Sequence, residues 1–87
     1  MTQTMQQVLA LIEQALGQPP GKLDDGAALD LTEGWDSLKT MEIVVAVEQR
    51  FGTTFSARQM MAIDSAQAIC DALAAQGLVN DGLTQAA

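Results

Sequence analysis

Apolar residues recur along this chain in steps of three and four. Met5, Val8, Leu9, Ile12 and Leu16 form one series, Ile43, Val44, Val47 and Phe51 a second, and Ala66, Ile69, Cys70 and Leu73 a third. That spacing gathers each set on one face of an α-helix. No segment alternates convincingly with a period of two, so the fold is predicted to be all-α. With 87 residues the chain supplies one small domain and a thin core. The amphipathic faces must then cover one another in a small four-helix bundle.

Local signals set the boundaries. Thr4 followed by Gln7 reads as a capping box at the start of the first helix, and Gly17 with Pro19-Pro20-Gly21 ends it. Residues 17–35 form a long loop between the first two helices, and Leu23, Leu29 and Leu31 predict that it folds back onto the core. Asp24, Asp25, Asp30, Glu33 and Asp36 make its second half acidic, which fits either plain solvation or docking. The second helix is expected from Asp36, as its cap, to about Phe51, with Gly52 as its stop. Ser56 caps a short third helix over 57–62, and Asp64 with Gln67 predicts a further capping box for a last helix over about 65–76, stopped by Gly77. The expected organisation is a single domain over 1–80 with a flexible tail over 81–87. Aromatic residues are only Trp35, Phe51 and Phe55, so the core is expected to be Leu, Ile, Val, Met and Ala.

Charge and composition remove whole classes of function. Four basic residues against eleven acidic ones give a formal net charge of −7, which opposes binding to nucleic acid and to anionic membrane surfaces. It favours partner proteins with basic patches. The longest apolar runs, 8–12 and 43–47, have five residues, far below the ~18 that span a bilayer. The start MTQTMQQ has no leader pattern, so a cytoplasmic protein is expected; the initial Met and short tail predict a freestanding chain, and a monomer is expected. One cysteine, Cys70, permits no internal disulfide; it is expected to pack as a small apolar residue, with a reactive thiol as the alternative. The chain has no histidine, which excludes a Ser-His-Asp triad, a Cys-His pair and imidazole metal sites. Paired carboxylates such as Asp30 and Glu33 are the remaining enzymatic option, without a nucleophile-base pair or phosphate loop to support them.

The second helix carries more apolar surface than a core requires. At about 100° per residue, Ile43, Val44, Val47 and Phe51 share one arc, while Leu38, Met41 and Val45 share another on the far side of Ser37. The second stripe either widens the core contact or forms an exposed docking patch rimmed by Glu42 and Glu48. Methionine suits a surface that accepts several partners. Ser37 falls in the first helical turn, where free N–H groups and the helix dipole favour negative charge; a plain capping serine and a phosphorylated hydroxyl are both open.

Gly34-Trp35-Asp36-Ser37-Leu38, followed by a helix ending at Phe51-Gly52, resembles the prosthetic-group site of acyl carrier proteins. The likeness continues through Met41-Glu42-Ile43-Val44-Val45-Ala46-Val47-Glu48, Phe55-Ser56 and Ile63-Asp64-Ser65-Ala66-Gln67-Ala68, and covers roughly residues 4–78. It implies a four-helix carrier domain with no catalysis of its own. It implies that a separate phosphopantetheinyl transferase attaches 4′-phosphopantetheine to Ser37, with coenzyme A as donor and Mg²⁺ serving the transferase. An acyl or aminoacyl thioester would then ride on the arm, presented to a loading enzyme and a downstream synthase or transferase. Asp36, Leu38, Met41, Glu42, Val45 and Glu48 become the expected partner contacts, and Val44, Val47, Ile63 and Ile69 candidate cargo-lining residues. Lys39 and Gln49 make the second helix less acidic than in carriers of bulk fatty-acid synthesis, and Trp35 resembles carriers of specialised pathways. Peptidyl carriers of modular synthetases usually show Gly-Gly-x-Ser instead. The alternative is an acidic helical adaptor that docks through Leu38, Met41 and Val45 without a prosthetic group.

Overall fold

A computed structural model describes residues 3–78. It contains α1 (Gln3–Leu16), α2 (Ser37–Phe51), α3 (Ala57–Ala62) and α4 (Ala66–Ala75). Among the described residues no strand forms; one isolated bridge joins Ala28 to Ser65. The expected all-α architecture, with a short third helix and a long first loop, is the one observed. The expected tail over 81–87 lies outside the described residues.

The three apolar series meet in one core. Helix α1 packs against both α2 and α4. Val8, Ile12, Ile43, Val44, Val47, Ile69 and Leu73 are closed off from solvent there, and Phe51 packs at the edge. The core also takes Trp35 and Phe55, which corrects the expectation of a purely aliphatic and methionine interior. Cys70 is buried, with its Sγ 3.9 Å from Met5 Sδ.

Two helix starts differ from expectation. Thr4 does not cap α1, because the helix already begins at Gln3. Thr4 stands four residues before Val8 and is buried on the same stripe. At α4 the cap is Ser65, whose side chain accepts the N–H of Ala68 at 3.0 Å; it is not Asp64. The backbone of Asp64 is engaged elsewhere, its carbonyl accepting the N–H of Leu29 at 2.8 Å. The other two caps are as expected. Asp36 accepts the N–H of Lys39, and Ser56 and Gln59 form a reciprocal capping box. Gly52 closes α2 at φ 67°, a left-handed conformation that favours glycine.

The long loop is tied down at several points. Leu29 N–H bonds Asp64 O, and Ala66 N–H bonds Ala27 O at 2.9 Å, so the loop is stitched to the start of α4. Leu23 and Leu29 pack against the core as expected. Leu31 does not, since 83% of its surface is exposed; the turn that sends Thr32 N–H back to Ala28 O carries it outward. Glu13 supplies an anchor with no sequence signal. Its side chain is buried on α1, and Oε2 accepts the N–H of Leu23 at 2.9 Å. Replacing it strands a part-buried donor, so Glu13→Ala is expected to cost about 1–3 kcal/mol in urea unfolding. Glu13→Gln keeps an acceptor and should cost less.

Candidate functional site

The loop and α2 meet at Asp36-Ser37. Asp36 has extended backbone angles, and its Oδ1 accepts the N–H of Lys39 at 2.9 Å. Ser37 is therefore the first residue of α2, and its side chain is exposed. Helix starts present unpaired N–H groups outward, where an attached phosphate is favoured. Behind the turn, Trp35 is only 2% exposed and sits in the core. The site thus joins an accessible hydroxyl to a rigid base.

The second apolar stripe of α2 lies on the surface. Leu38 is 70% exposed, Met41 49% and Val45 48%, so these residues do not widen the core contact. Glu42 stands beside them, with its Oε2 3.3 Å from Lys39 Nζ. An exposed pair of this kind contributes little stability, but it offsets one negative charge on the helix. Glu48 is placed differently. It is half-buried, and its Oε2 accepts the N–H of Phe55 at 2.8 Å. That bond holds the turn between α2 and α3.

A groove of about 390 Å³ opens beside Ser37. Thr40 and Met41 of α2, Met60 and Met61 of α3, and Ile63 line it with Ser37 itself. None of its lining residues is charged. Of the four candidate cargo-lining residues, Ile63 lines this groove; Val44, Val47 and Ile69 are packed into the closed core. Sequence reasoning missed Met60 and Met61. Met61 is 87% exposed at the end of α3, and a six-residue helix is too short for periodicity to reveal which side faces α2.

With no histidine in the chain, neither a Ser-His-Asp triad nor a Cys-His pair can be built here. Asp30 and Glu33 are exposed loop residues, and the described residues contain no cluster of side chains able to hold a metal ion. No helix of the described residues is long and apolar enough to cross a membrane. What the geometry offers is a hydroxyl open to another enzyme, an uncharged groove next to it, and an apolar patch along one side of the same helix.

The family model described as the phosphopantetheine attachment site matches residues 6–73. The match contains all of α2 and α3, the stitched loop, and most of α1 and α4. No curated protein matches the chain.

Proposed function

The chain belongs to the phosphopantetheine-attachment family, and from that premise we propose that Ser37 is the attachment residue of a freestanding carrier of acyl or aminoacyl thioesters. Proteins of this family are carrier domains without catalysis of their own, and the small all-α domain carries 4′-phosphopantetheine covalently, as the family does. Family membership also implies a phosphopantetheinyl transferase and enzymes that load and unload the arm as partners.

The observation that carries the reading is the exposure of Ser37 at the first position of α2, within the matched span. The surroundings fit the group. The helix start favours a phosphodiester, and the uncharged groove beside the hydroxyl suits an arm of amides and methylenes. In the modification, Ser37 Oγ attacks the phosphorus of coenzyme A that bears the pantetheine. The pyrophosphate P–O bond breaks, adenosine 3′,5′-bisphosphate leaves, and the hydroxyl proton passes to the transferase. When bound, the arm supplies a thiol on which the cargo is held as a thioester. Asp36 caps the helix and orients the transferase or its metal.

Partner recognition in this reading falls on Asp36, Leu38, Met41, Glu42 and Val45, which lie together on the exposed side of α2 and its cap. Glu48 contributes by holding the turn that places α3 against the groove. Each contact is modest, because a carrier must release one enzyme before meeting the next. The net charge of −7 supports basic partner surfaces and opposes nucleic acid. Lys39, paired with Glu42, lowers the acidity of α2 and supports a specialised pathway over bulk fatty-acid synthesis. A thiol-bearing arm must stay reduced to be loaded, which supports a cytoplasmic setting. A single carrier domain over 1–80, acting as a monomer, completes the reading.

Incubation with coenzyme A and a broad-specificity transferase should raise the intact mass by one phosphopantetheine. No gain with any of several transferases would overturn the assignment. Met41→Glu places a charge in the docking patch and should lower kcat/KM for loading about tenfold, equal to about 1.4 kcal/mol.

A further inference from the structure

Trp35 is buried although it lies two residues before the exposed Ser37. Its indole N–H donates to Thr40 Oγ1 at 2.8 Å inside the protein. Thr40 Oγ1 in turn donates to the carbonyl of Asp36 at 3.1 Å, and the backbone N–H of Thr40 donates to the same carbonyl at 3.0 Å. Behind the turn, Trp35 N–H bonds Thr32 O at 3.0 Å, and Trp35 O accepts the N–H of Asp30 at 3.2 Å. The peptide group leading into Ser37 is thus held from the α2 side by Thr40 and from the loop side by Trp35, and one side-chain bond joins the two holds.

We infer that Trp35 and Thr40 are positioning residues for the modification of Ser37, their indole–hydroxyl bond holding the entrance of α2 so that Ser37 Oγ is presented to the transferase in one orientation. The inference rests on the assignment of Ser37 above. A buried indole needs an acceptor for its N–H, and a helical threonine satisfies its own donor on the carbonyl four residues back without any indole. Here both capacities of the Thr40 hydroxyl are used, donor to Asp36 and acceptor from Trp35. Thr40 also lines the groove with Ser37, so the bond braces the wall beside the hydroxyl. Phosphoryl transfer depends on the alignment of the attacking oxygen, and a displacement of about 1 Å can cost about a hundredfold.

The test uses the full chain as substrate for a transferase with coenzyme A, with kcat and KM measured separately and the site of modification mapped. Trp35→Phe and Thr40→Val should each lower kcat five- to tenfold with KM near the wild-type value, because Leu38, Met41 and Val45 remain in place. The double variant should be no slower than the worse single variant, since both changes remove the same bond. Thr40→Ser keeps the hydroxyl and should recover at least half of the wild-type kcat. Should Trp35→Phe fail to fold, the contrast between Thr40→Val and Thr40→Ser decides the matter. Folded variants with wild-type kcat, or losses that multiply in the double variant, would overturn the inference while leaving Ser37 as the attachment residue. A wild-type arm mapped to another residue would instead overturn the assignment of Ser37 itself.

Discussion

Ser37→Ala is expected to take up no phosphopantetheine from coenzyme A with any transferase, while folding as the wild type does. The loss should be complete, because the hydroxyl oxygen becomes part of the new bond and no neighbour replaces it. The chain has two other serines, and both hydroxyls are committed to helix caps. Ser56 Oγ accepts the N–H of Gln59 at 3.1 Å, and Ser65 Oγ accepts that of Ala68 at 3.0 Å. Ser37 is exposed and its capping work is done by Asp36, so its removal should change stability by no more than about 0.5 kcal/mol. Intact mass and a urea melt of the same sample separate the two effects. A partial mass gain would mean a second acceptor, and a large drop in stability would mean that Ser37 has a structural role absent from this account.

Leu73→Ala should have the largest effect on stability. Leu73 is fully buried on α4, in the core cluster shared with α1 and α2. Truncation of a buried leucine costs about 2–5 kcal/mol through lost transfer energy and the cavity left behind. Small domains have only about 5–15 kcal/mol in total, so the urea midpoint should fall sharply. Leu38→Ala removes the same atoms from a side chain that is 70% exposed and should change stability by less than about 0.5 kcal/mol. It should instead slow loading. The contrast separates the two apolar stripes: one holds the bundle together, and the other is the exposed surface proposed for partners.

The features legible in the sequence were those decided locally. Ser56 and Gln59 form their box within one turn, Asp36 caps α2 from the adjacent residue, and the 3.6-residue period picked out Ala66, Ile69, Cys70 and Leu73 as the buried face of α4. Where two neighbouring residues could serve, local chemistry did not choose. Asp64 and Ser65 are both good caps; the loop pairing of Leu29 with the Asp64 carbonyl decided for Ser65. The double stripe on α2 was visible, but its exposure depended on where α1 and α3 pack. Leu31 is turned outward by the bend that bonds Thr32 N–H to Ala28 O, and Thr4 falls inside α1 because the helix begins at Gln3; neither is marked by apolar spacing. The Glu13–Leu23 anchor spans ten residues and leaves no pattern in the chain. The Trp35–Thr40 bond crosses the boundary between loop and helix, where no period applies. Spacing marks Ser37 as a helix-start serine, and its proposed role as attachment residue comes from the resemblance of its flanking motif.

The most direct measurement is intact mass and peptide mapping of the protein isolated from the cell that makes it. A population heavier by one phosphopantetheine is expected, with or without an acyl or aminoacyl load, and fragmentation should place the arm on Ser37. Only unmodified mass in that isolate, or an arm mapped to any residue other than Ser37, would contradict this result.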